Sequence, residues 1–163
     1  MKIALSRLFI LALIISLASS CDKESTPTPD PPTAEETALE KLVGPSGSQN
    51  WGILETGSVT RDGRVVTELY ENFELLMRGN ATSKTYSSKN NNDLFDGSGN
   101  WSFTSTNFDK FQLTGTKPAA GRDITFTVTG DNLRLDFTIP APGARINGTL
   151  AVAGSYTFNL LKK

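Results

Sequence analysis

From Gln49 onward, bulky apolar and polar residues alternate, and this pattern restricts the chain more than any other feature. Phe73, Leu75 and Met77 share one parity, with Glu74 and Arg78 on the other. Trp101 and Phe103 alternate with Ser102 and Thr104, and Phe111 and Leu113 with Gln112 and Thr114. Ile124, Phe126 and Val128 are separated by threonines. Leu133, Leu135, Phe137 and Ile139 are separated by Arg134, Asp136 and Thr138, and Tyr156, Phe158 and Leu160 close the series. A period of two sends successive side chains to opposite faces of a strand, so each run has one apolar and one polar face. Asp62-Gly63, Gly79-Asn80 and Gly130-Asp131 fall between runs, and Asp-Gly is a strong hairpin signal. A first strand is expected to start at Trp51 and Ile53 and continue towards Val59. The expectation is an all-β domain of about eight antiparallel strands around a single core. That number suffices to close an up-and-down barrel that is either filled by side chains or holds one small ligand.

A short helix precedes the strands. Thr33-Ala34-Glu35-Glu36 reads as a capping box, Leu39, Leu42 and Val43 form a narrow apolar stripe, and Gly44-Pro45 ends it. A helix over residues 33–43 needs tertiary contacts to persist. It is either a lid over the barrel or a plain packing helix, and packing is the simpler expectation.

The N-terminus reads as an address. Lys2 and Arg7 are followed by the apolar run Leu8-Phe9-Ile10-Leu11-Ala12-Leu13-Ile14-Ile15, then by Ala18-Ser19-Ser20 and Cys21. This is the layout of a secretory signal over residues 1–20, too short for a membrane span. Small residues ahead of the chain's one cysteine resemble a bacterial lipoprotein signal, which implies lipid attachment at Cys21. Residues 21–32 would form the tether, and four of the chain's eight prolines lie in this stretch. Such a segment buries little and stays extended. Cys21-Asp22-Lys23-Glu24 resembles the surface-export signal of Bacteroidota lipoproteins, which implies the outer membrane and the cell surface. Asp22 beside the cysteine keeps a periplasm-facing lipoprotein open as the alternative.

Composition removes several classes of function. Without Lys2 and Arg7 there are 14 basic residues against 17 acidic ones, a net charge of −3, which argues against nucleic acid as partner. There is no histidine, so Ser-His-Asp and Cys-His catalysis and the usual zinc sites are absent. With Cys21 carrying lipid, no disulfide forms within the chain, and the core alone must hold the domain. No cofactor is expected.

Asn72-Phe73-Glu74-Leu75, Tyr86, Gly99-Asn100-Trp101-Ser102-Phe103, the run from Asp131 to Phe137, and Gly154-Ser155-Tyr156-Thr157-Phe158 together resemble small lipocalin-like lipoproteins of Bacteroidota. The resemblance spans roughly Trp51 to Lys162 and implies a lipocalin-like barrel over residues 33–163. Such barrels hold small apolar molecules, which implies a lining of Trp101, Phe103, Phe126, Phe137 and Phe158. The same aromatics fill a small barrel outright on the plainer reading.

Other motifs carry less. Asn90 to Gly97 invites a calcium reading through Asn92 and Asp96, but Leu94 occupies the middle ligand position, and a polar loop is expected without metal. Glu74 and Asp136 could in principle serve as an acid/base pair, yet both lie on polar strand faces. Asn80, Asn100 and Asn147 begin glycosylation-like triplets that turn chemistry explains. No catalytic residue emerges. Two functions remain: an anchored barrel that binds a small apolar ligand, or a non-catalytic lipoprotein with a filled barrel whose loops meet a partner protein or glycan.

Overall fold

The computed structural model describes residues 30–141 and 152–163, and the folded unit runs Pro32–Lys163. The expected signal, Cys21, most of the tether and the Asn147-Gly148-Thr149 turn lie outside the described residues.

Helix α1 (Ala34–Val43) begins with the expected box. The Glu36 N–H donates to the Thr33 hydroxyl, and the Thr33 N–H donates at 2.8 Å to the Glu36 carboxylate. The latter bond holds the Glu36 carboxyl below its ordinary range. Gly44 ends the helix at φ 68°, a conformation that costs glycine little.

Among the described residues ten strands follow: β1 (Ser48–Gly52), β2 (Ser58–Arg61), β3 (Arg64–Val65), β4 (Glu74–Gly79), β5 (Lys84–Lys89), β6 (Ser98–Phe103), β7 (Lys110–Leu113), β8 (Ile124–Thr129), β9 (Asn132–Ile139) and β10 (Gly154–Lys162). From β4 to β10 each strand is antiparallel to the next, and β1 lies between β10 and β4. The ring of eight is thereby closed, with a short helix ahead of it. The architecture is a lipocalin-like up-and-down barrel: the alternation implies the antiparallel barrel, and the resemblance implies its lipocalin-like form.

The first strand differs from expectation. The chain leaves the ring after Gly52, turns through residues 53–57 with the Gly57 N–H on the Leu54 carbonyl at 2.8 Å, and returns as β2. Two segments therefore share β10. β1 pairs with its C-terminal end through Trp51↔Lys162, and β2 pairs further back, from Asn159↔Ser58 to Tyr156↔Arg61. The break depends on Gly57, where a Cβ would stand 3.1 Å from both the Asn159 carbonyl oxygen and the Ile53 Cα. Asp62 and Gly63 join β2 to β3 at φ 51° and 75°, the two positive values of a type I′ turn.

Parity decides the interior. Leu75, Met77, Tyr86, Trp101, Phe111, Leu113, Ile124, Leu133, Leu135, Phe137, Tyr156, Phe158 and Leu160 all point inward and are buried. Their neighbours in sequence carry the polar outer face. Apolar inside and polar outside is the reverse of a lipid-spanning barrel.

Each end of the barrel receives its own cover. At one end α1 buries Ala38, Leu42 and Val43, and the Trp51 indole N–H donates to the Leu42 carbonyl at 2.9 Å. Leu39 Cδ1 lies 2.8 Å from where a Cβ on Gly79 would sit, so glycine permits the helix to approach β4 this closely. At the other end Leu94 and Phe95 fold inward from the β5–β6 loop, and Tyr70 enters from a short 3₁₀ helix (Thr67–Tyr70). The buried Ala119 of the β7–β8 loop donates its N–H to the Leu94 carbonyl at 3.0 Å.

Candidate functional site

The five aromatics proposed as a pocket lining fall into two groups. Phe137 and Phe158 belong to the first, with Tyr70, Phe73, Phe95 and Tyr156. Phe158 is fully buried and has ring contacts with Tyr70 at 5.1 Å, Phe73 at 5.2 Å, Phe95 at 5.6 Å and Phe137 at 5.8 Å. These spacings are those of packed aromatic pairs. Trp101, Phe103 and Phe126 belong to the second group, with Phe108 and Phe111. Trp101 meets Phe103 edge-on at 5.1 Å, and Phe103 meets Phe108 at 5.5 Å and Phe126 at 6.2 Å. The Trp101 indole N–H donates to the Arg78 carbonyl at 3.0 Å, so its polar edge is satisfied. Phe103 is only partly buried, because it ends β6 at the rim. Phe108 adopts φ 54° in the β6–β7 loop, unusual for a bulky residue, and its ring covers Phe103.

Lys84 lies near that rim. Its ammonium pairs with Glu35 of α1 at 2.9 Å and stands 5.8 Å from the centre of the Phe103 ring. Beside α1 a crevice of about 480 Å³ opens between the helix and the barrel, lined by Trp51, Gln49, Val128 and Lys162 among others. A second recess, of about 440 Å³, lies on the outer face of β7 to β10 between Lys110 and Arg122 and the threonines at 125, 138 and 157.

The polar residues of the loop from Asn90 to Gly97 are used within the fold. The Asp96 carboxylate accepts the backbone N–H groups of Thr116 and Lys117 at 3.0 and 2.9 Å and the Thr116 hydroxyl at 3.2 Å. Burial raises the pKa of this carboxyl, but the bonds from Thr116 and Lys117 and the Lys117 charge outweigh burial and leave it lowered. The Lys117 ammonium reaches Asp93 at 2.8 Å, and Leu94 is buried. Among the described residues no three metal-binding side chains gather. Glu74 and Asp136 do not form a pair either, since β1 and β10 separate their strands. Glu74 is bound by Lys163 and Asn50, and Asp136 by Arg134 at 2.8 Å and the Thr157 hydroxyl at 2.6 Å.

Two tyrosines report on the interior. Burial pushes Tyr70 up to about 12, reinforced by Tyr156 beside it, and burial with the nearby Asp96 charge pushes Tyr86 up to about 12. A phenol raised in the folded state adds stability that is complete below its unfolded pKa of about 10 and is lost as pH rises through the folded value. Stability should therefore decline between about pH 10 and 12. Ultraviolet absorbance should show Tyr70 and Tyr86 ionising late in native protein and near pH 10 in denaturant. Full ionisation near pH 10 in the native state would contradict the assigned burial.

No family model, curated protein or solved structure matches the chain.

Proposed function

We propose that this is an exported lipoprotein anchored through Cys21 in the outer membrane and displayed at the cell surface. Its barrel serves as a filled, non-catalytic scaffold whose loops and outer face meet a partner protein or glycan. The observation that carries the filled-barrel reading is Phe158, which has no solvent exposure and is held in ring contacts by Tyr70, Phe73, Phe95 and Phe137. Rings at such spacing leave their volume to one another rather than to a guest. The signal layout ahead of Cys21 supports the anchor.

A ligand panel tests the scaffold reading. The folded chain is titrated with a hydrophobic fluorescent probe, fatty acids, sterols and isoprenoids. No saturable binding and no rise in melting temperature are expected. The crevice of about 480 Å³ beside α1 favours the second reading, a small apolar ligand at the barrel mouth. Saturable binding that raises the melting temperature, and that weakens when Val128 is enlarged to Trp, would establish that reading in place of the first. The anchor has a separate test. Cys21→Ser should abolish lipid labelling and release the chain from membranes. Unchanged fractionation would rule out the lipoprotein assignment.

A further inference from the structure

We propose that α1 is a hinged cover that lifts from the barrel as a unit while the ring of strands stays closed. The first support is topological. Ring closure is made by β1 with β10 and β1 with β4, and no backbone bond of that closure involves the helix. The helix can leave without opening a strand pair.

The attachment is narrow. Ala38, Leu42 and Val43 are the helix's buried residues, and an opening flanks it on each side. One is the crevice of about 480 Å³ against Trp51 and Val128, and the other is a recess of about 520 Å³ against Gly47, Gly79 and Asn80. Two polar contacts pin its ends: the Leu42 carbonyl to the Trp51 indole at 2.9 Å, and Glu35 to Lys84 at 2.9 Å. A ten-residue helix has little stability of its own, so its docked state depends on these contacts. The connection to β1 has the build of a hinge. Gly44 and Gly47 take positive φ on either side of Pro45 and Ser46, which concentrates the backbone reversal in one short stretch.

Lifting α1 removes the wall between the two recesses. It bares the Trp51 indole edge and the seats of Leu39 and Val43, so the rim becomes one continuous apolar mouth. Such an opening belongs to the low-free-energy, local class of native-state motions. The inference does not depend on whether the interior is filled, because the mouth is bared in either case.

Hydrogen exchange read by mass spectrometry on the full chain tests this. In wild type, the amides of α1 should exchange faster than those of β9 and β10. Trp51→Phe keeps a ring in place but removes the donor to Leu42, and should speed exchange in α1 by about tenfold relative to β9 and β10. Lys84→Met removes the ion pair while keeping an apolar stem beside Phe103, and should speed α1 by about twofold with the strands unchanged. Exchange of α1 in step with β9 and β10 in the wild type and both variants would overturn the proposal, because the helix would then open only with the whole barrel.

Discussion

Phe158→Ala is expected to lower the free energy of unfolding by about 3–5 kcal/mol, the range for truncating a fully buried ring. The position combines no exposure with aromatic contacts from the 3₁₀ helix, from Phe73 just ahead of β4, from the β5–β6 loop and from β9. Neighbours drawn from so many separate elements cannot all close in on the void, so the cost should lie near the upper end. Thr125→Ala, on the outer face of β8, should change stability by less than about 0.5 kcal/mol. Denaturant melts with equal slopes measure both. Small and equal losses at the two positions would mean that Phe158 is not the centre of the core.

The second large effect is expected at Gly115. A methyl group there would overlap the Asp96 carboxylate, and φ is 151°, a conformation that L side chains rarely adopt. Gly115→Ala should cost about 3 kcal/mol, from backbone strain together with the overlap. The overlap has a single identifiable source, so a double-mutant cycle can isolate it. Asp96→Ala frees the space while giving up the bonds from Thr116 and Lys117. Gly115→Ala added to Asp96→Ala should then cost only the strain, about 1 kcal/mol. Simple additivity of the two substitutions would show that the carboxylate does not shape this loop.

The sequence makes the inward parity legible because alternation is a local signal, visible in Leu133 to Ile139 without knowledge of any partner strand. It also marks the capping box at Thr33 and the Asp62-Gly63 turn, where neighbouring residues do the work. What it conceals is non-local. Leu94 and Phe95 sit in a loop of asparagine, aspartate and glycine, where no period exists to say that they turn inward. Their adjacency as an apolar pair in that setting is the one available signal. Asp96 reads as a possible metal ligand because its true partners, Thr116 and Lys117, are about twenty residues further along. Each of the five candidate aromatics holds the inward parity of its own strand, and parity alone cannot divide Phe137 and Phe158 from Trp101, Phe103 and Phe126. The break between β1 and β2 depends on the Gly57 backbone lying against Asn159, a contact across most of the chain.

The position of β10 has a kinetic consequence. Among the described strands, its pairings with β9, β2 and β1 are the last that synthesis supplies to the ring, and the last two join its final strand to its first segments. Until Gly154–Lys162 is present, the meander from β4 to β9 has two open edges, and β1 and β2 lack the strand that they share. Loops of this length close late, because their entropy is spent before any contact returns it. Refolding should therefore be limited by the docking of the final strand. A chain halted short of it would expose the edges along which unfinished sheets associate.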